Sequence, residues 1–192
     1  MKLIRSALLM VALAALSTVA AANRYSDTVE LFKNAGESAT FFAHCYGYAV
    51  FPTIGKGGFV VGGAHGKGRV FEQGKYIGDT TVTQLSVGFQ AGAQAYSQII
   101  FFEDKRALEE FTGGNFEFEA GVSAVAITAA AGGTAGTTGA SAGASGGMKD
   151  ATTVGSSYYK GMAVFTIVKG GAMYQATVAG QKFTFQPREK RE

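Results

Sequence analysis

The feature that most limits how this chain folds is a run of glycines set among short apolar segments. Gly55, Gly57, Gly58, Gly62, Gly63, Gly66 and Gly68 surround Phe59-Val60-Val61 and lead into Val70-Phe71. Glycine inside strand sequence marks a bulge, or a place where another backbone or a ligand comes close. The run therefore reads as tightly packed strands with hairpin turns, or as a lip of backbone exposed to a ligand. Lys56, Lys67, Arg69 and Lys75 are opposed only by Glu72 over residues 55–75. Residues 103–119 have the opposite bias, with Glu103, Asp104, Glu109, Glu110, Glu117 and Glu119 against Lys105 and Arg106. Each cluster is either a local recognition patch or an ordinary solvated face.

The segments around this run supply sheet and a few helices. Residues 23–46 read as helical, with Asp27 capping a first helix that carries Val29, Leu31 and Phe32. Gly36 breaks the pattern, Ser38 caps a second helix with Phe41, Phe42 and Cys45, and Gly47 ends it. Tyr48 to Phe51 reads as a strand stopped by Pro52. Over residues 82–96, Leu85, Val87, Phe89, Ala91, Ala93 and Ala95 share one side of a period-2 pattern. Ser86, Gln90, Gln94 and Tyr96 share the other, which predicts a half-buried strand or strand pair. Asp104 is placed to cap a short helix carrying Leu108 and Phe111, closed by Gly113-Gly114. Residues 161–168 are apolar on both faces, as in a central strand. Phe116 and Phe118, Tyr174 to Val178, and Phe183 to Phe185 complete the sheet. The expected fold class is α+β: N-terminal helices followed by an antiparallel sheet or open barrel with one inserted helix.

The first 22 residues read as a secretory signal peptide rather than as part of the domain. Lys2 and Arg5 precede an apolar run from Leu8 to Leu16, and Ala20-Ala21-Ala22 supplies small residues for cleavage before Asn23. The run is short against the roughly 20 residues that span a bilayer. Its removal takes away Lys2 and Arg5 and no acid, so 17 cations against 14 acids become 15 against 14. A nearly neutral mature chain lacks the general positive charge that nucleic-acid binding needs, so no nucleic-acid partner is expected. The expected location is across the inner membrane, periplasmic or peripheral to the envelope. Cys45 is the one cysteine, so no intramolecular disulfide forms and stability rests on the core.

Catalytic and metal motifs lack their context. Gly139-Ala140-Ser141-Ala142-Gly143 and Gly143-Ala144-Ser145-Gly146-Gly147 fit the nucleophile-elbow pattern, but no strand precedes and no helix follows either serine. The glycine run fits neither a phosphate-binding loop nor a dinucleotide fingerprint. Two histidines, His44 and His65, and one cysteine have no zinc-ligand spacing. The expectation is a non-enzymatic chain without metal or cofactor. Residues 129–147, rich in Gly, Ala and Thr, read as a flexible loop or tightly packed strands; Gly132/Gly136 and Gly139/Gly143/Gly147 also have the spacing of membrane glycine zippers.

One resemblance goes further. Ala49-Val50-Phe51-Pro52, Gly55-Lys56-Gly57-Gly58-Phe59-Val60-Val61-Gly62-Gly63 and Gly66-Lys67-Gly68 resemble the core of the SYLF lipid-binding domain family. Ser86-Val87-Gly88-Phe89-Gln90-Ala91-Gly92-Ala93-Gln94 resembles a later strand of that family, and the likeness extends over roughly residues 28–180. It implies one phospholipid-binding domain over residues 23–187 with a charged tail at 188–192. In eukaryotic relatives this domain accompanies phosphoinositide recognition and actin-associated membrane work. The expected partner is an anionic phospholipid surface, with an envelope protein as a further candidate. Lys56, Lys67, Arg69 and Lys75 would meet headgroups, and Phe41 or Phe42 would insert. The alternative is a structural or assembly protein of the outer membrane or envelope.

Overall fold

A computed structural model describes residues 23–58, 61–87, 92–118, 125–127, 158–170 and 180–189. Residues 23–33 form helix α1. Helix α2 covers Glu37–Phe41, followed by strands β1 (Gly47–Gly58), β2 (Val61–Glu72), β3 (Lys75–Val87) and β4 (Gly92–Phe102). Helix α3 (Lys105–Thr112) then precedes β5 (Asn115–Glu117), β6 (Val125–Ile127), β7 (Met162–Gly170) and β8 (Gln181–Pro187). The strands make one sheet in the order β5-β8-β3-β2-β1-β4-β7-β6. All neighbours are antiparallel except β6 and β7.

The central strands alternate between two apolar sets because both faces are covered. Ala49, Phe51, Val70, Val82, Ile100, Phe102, Val164 and Phe183 lie on one face with Leu108 and Phe111 of α3. Val50, Ile99, Phe101, Phe165 and Ile167 lie on the other with Phe32 and Phe41 of α1 and α2. The first face is concave. Gln98 of β4 and Gln181 of β8 exchange hydrogen bonds of 2.9 and 3.1 Å across it. Yet β3, β2 and β1 lie between those strands, a span of roughly 19 Å in a flat sheet. Only a sheet curled into a half-barrel brings the two amides together.

The curl needs glycine where large side chains cross the inner face. A Cβ on Gly68 would lie 2.6 Å from the Phe51 ring and 2.9 Å from Thr80 Cγ2. One on Gly66 would lie 2.7 Å from Ile54 Cγ1. At these two positions the glycines act as tight-packing residues.

Several expectations need correction. Pro52 does not stop its strand; β1 continues to Gly58, and a register shift between Val50 and Thr53 absorbs the missing N–H. Ser97 Oγ donates to the Pro52 carbonyl at 2.8 Å. Asp27 lies inside α1 rather than at its cap. The N-cap of α2 is Gly36, and the buried Ser38 hydroxyl faces the Phe32 and Ala35 carbonyls at 2.6 and 3.0 Å, joining the two helices. Gly47 opens β1, where a Cβ would meet the Phe71 carbonyl. The period-2 pattern near residue 85 is present with its faces exchanged: Gln84 and Tyr96 are 4% and 2% exposed, whereas Leu85 is 83% exposed. The charged tail starts from an anchored residue, the Arg188 N–H donating to the Ile77 carbonyl at 2.8 Å. The signal segment 1–22, Phe59, Val60, Phe89, Ser141, Ser145, the tract 129–147 and Tyr174 to Val178 lie outside the described residues.

Candidate functional site

The half-barrel has a base, where β1 starts and β4 ends beside α3, and a tip, where β1 ends and β2 begins. On the outer face, α1 and α2 cover the base half. The tip half of that face is laid out in rows by the strand pairing. Leu85 stands opposite Gly63, which is opposite Gly57. Thr83 stands opposite His65, which is opposite Gly55. Thr81 stands opposite Lys67, which is opposite Thr53. Gly55 and Gly57 have open space where a side chain would be.

Two lysines converge on Thr53. Lys67 is its cross-strand partner on β2. Lys169 reaches it from the end of β7, its Nζ donating to Thr53 Oγ1 at 3.3 Å. Partial burial, and then the nearby Arg24 charge, hold the Lys169 ammonium below the usual lysine range. Arg24, Lys67 and Lys169 form no ion pair among the described residues, so they leave uncompensated positive charge on this face. Two further cations are paired: Lys182 lies 3.3 Å from Glu117, and Arg69 Nε lies 3.7 Å from Asp79.

The residues expected to form one basic lip are therefore not together. Arg69 acts as a clasp, its guanidinium 4.4 Å from the Tyr25 ring centre and 5.1 Å from that of Tyr76, holding α1 to the sheet. Lys75 sits at the base hairpin opposite Glu72, far from Lys67 along the strands. Lys56 belongs to the inner face, because it pairs with Ala64 and lies two residues beyond Ile54, both inner-core residues. Burial lowers its ammonium pKa. Phe41 is a core side chain, 8% exposed, with its ring 5.0 Å from Phe165 and 5.5 Å from Phe101. Phe42 is partly buried, 4.8 Å from Phe101. Among the described residues of the outer face at the tip, the large apolar side chain most open to solvent is Leu85, 83% exposed, two rows along the strands from Lys67.

Lys169, Arg24 and Leu85 escaped sequence reasoning. Lys169 is far from Thr53 in the chain and reaches it only through the strand order β2-β1-β4-β7, and Arg24 comes near Lys169 only through the docking of α1. The inverted alternation at Leu85 had one signal, Gln84 beside it and Gln181 far downstream, which only the β3–β8 register unites.

Burial pushes the Cys45 thiol upward, away from the reactive thiolate. Among the described residues no group of His, Cys, Asp and Glu is placed to hold a metal ion. No described helix is long and apolar enough to cross a membrane, a statement that leaves strands aside.

A family model described as "Las17-binding protein actin regulator" (Ysc84) matches residues 83–191. The match takes in most of the sheet together with α3 and Lys169, and leaves out Lys56 and Lys67. A relative, "Beta cell expansion factor A" of Aeromonas veronii, is 31% identical over 169 residues, which is 85% of this chain. The aligned part is 55% of that relative, so this chain spans about half of its length.

Proposed function

The chain belongs to the SYLF family, whose model is the Las17-binding actin-regulator domain, and from that premise we propose that it is an exported, non-enzymatic phospholipid-binding module. Family membership supports a lipid-binding or actin-regulator-like module. The finer reading is that the tip of the outer face docks on anionic headgroups at the cell envelope. The observation that carries it is the convergence of Lys67 and Lys169 on Thr53, beside the bare backbone of Gly55 and Gly57. Arg24 adds a third charge, and Leu85 stands at the rim as an apolar contact.

Near an anionic bilayer each such cation contributes about 1 kcal/mol. Three give weak and reversible binding. At 0.1 M salt the screening length is about 10 Å, so binding by exposed cations falls as salt rises. The test is co-sedimentation with phosphatidylglycerol-containing vesicles against purely zwitterionic ones, at low and high salt. The expected result is binding to the anionic vesicles alone, lost in high salt. Equal binding to both overturns headgroup docking, and pelleting that resists high salt and carbonate favours a structural envelope role. No binding to either turns the function toward a protein partner.

A further inference from the structure

The sequence has two histidines, and the fold gives them different settings. His44 follows α2, and its Nδ1 lies 3.1 Å from the Thr40 carbonyl. His65 stands on β2 toward the tip, on the open half of the outer face. It is exposed, and no hydrogen bond, ion pair or ring contact engages it among the described residues. Its cross-strand partners are Gly55 and Thr83, and its same-face neighbours along β2 are Gly63 and Lys67. Gly55 and Gly57 leave open space on the β1 side. The imidazole therefore rises above bare backbone. The charges around it are uneven. Across β3, Thr83 pairs with Lys182 of β8, and Lys182 with Glu117 of β5. Glu117 is thus three strands away and already holds Lys182 at 3.3 Å. Asp79, one row beyond Lys67, holds Arg69. On β1, Thr53, Gly55 and Gly57 offer no titratable group to this face. The unpaired charges on this face are cations: Lys67 two residues on, Lys169 at Thr53, and Arg24 near Lys169. A proton taken up by His65 adds a further positive charge with no carboxylate of the described residues left to receive it.

We infer that His65 is a proton-dependent fourth cation of the docking face, so that the protein holds an anionic phospholipid surface more tightly as pH falls. The inference rests on the docking reading above and adds a residue and a regulation to it. Imidazole is the side chain whose ordinary charge change falls between about pH 5 and 8. In the free protein the nearby Lys67 charge opposes its protonation. An anionic surface reverses that balance, because it supplies the counter-charge the face lacks. Linkage makes the effect reciprocal: if protonated His65 binds the surface better, the bound surface keeps His65 protonated to higher pH. The charged form is the binding form, so affinity rises on acidification and falls as pH rises. One added charge near an anionic bilayer corresponds to about fivefold in affinity. The same cations disfavour a second copy of this face as the occupant, since like charges would meet.

The test is co-sedimentation with vesicles of phosphatidylglycerol and phosphatidylcholine at about pH 7.5 and about pH 5.5, at one low salt concentration. The phosphodiesters of both lipids stay ionised over this range, so the vesicle charge is constant. The expected result is about fivefold tighter binding at the lower pH. His65→Gln abolishes the gain, His65→Lys gives the tighter binding at both pH values, and His44→Gln keeps the full gain. In parallel, proton NMR follows the His65 ring signal, assigned from His65→Gln. It titrates about 0.7 higher in pH with bicelles containing phosphatidylglycerol than with purely zwitterionic ones, the same fivefold seen through linkage. Salt-sensitive binding that is equal at the two pH values overturns the inference and leaves the docking reading standing. So does a gain that survives in His65→Gln, or a ring signal that titrates alike in both bicelles. Absence of binding at both pH values overturns the docking reading and this inference with it. A lowered denaturation midpoint in His65→Gln gives the residue a structural role and also overturns the inference.

Discussion

At the base of the half-barrel the sheet is covered on both faces, whereas at the tip its outer face is open and its inner face turns polar. The same strands run through both ends, so the difference lies in the residues. At the base, Phe41, Phe101 and Phe165 interlock on the outer side, and Phe102, Phe111 and Phe183 on the inner side. Rings of this size dominate burial energetics and prefer these offset and edge contacts. At the tip, glycine and threonine face outward and glutamine inward. Cooperative stability is concentrated where the aromatics are, which leaves the tip free to carry charges and bare backbone that contribute little to the fold.

The largest expected effect breaks the base. Phe165→Ala removes a fully buried ring and should cost about 3–5 kcal/mol, read as a lower denaturation midpoint with an unchanged slope. A loss below about 1 kcal/mol would mean that the base is not the stabilising end.

A pair of glycine substitutions sharpens the contrast. Gly68→Ala places a methyl 2.6 Å from Phe51 and should destabilise by about 1–3 kcal/mol. Gly57→Ala meets nothing within 4 Å and should change stability by less than about 0.5 kcal/mol. Equal losses would show that the tip is packed as tightly as the base.

The smallest effect on stability and the largest on binding belong to the same variant. Lys67→Gln combined with Lys169→Gln should leave the denaturation midpoint nearly unchanged. It should weaken binding to anionic vesicles by about 2 kcal/mol, roughly thirtyfold. Lys75→Gln, at the base hairpin, should change neither and serves as the matched control. A comparable loss from Lys75→Gln would place the contact surface elsewhere.

What could be read from sequence was mostly local. The Asp104 cap is such a case: its carboxylate accepts the Ala107 N–H at 2.8 Å, one turn along, and needs no tertiary knowledge. Residues 161–168, apolar on both faces, became β7 between β4 and β6 for the same reason. Pro52 misled because a bulge forms only when both neighbouring strands accept the shift. The proposed site was only partly marked in the sequence. Lys67 was marked by the local charge bias, but strand alternation sends Lys56 to the opposite face, and aromatic rings engage Arg69. Lys169 and Arg24 join the site through long-range topology, which local patterning does not encode.

In the proposed docking, the tip and not the base meets the membrane. The direct measurement places an environment-sensitive fluorophore at Thr83→Cys or at Lys105→Cys, each with Cys45→Ala, and adds phosphatidylglycerol vesicles. The expected result is a blue shift and increased intensity for the probe at residue 83, reversed by salt, and no change for the probe at residue 105. A response at residue 105 alone, or equal responses at both, would contradict it.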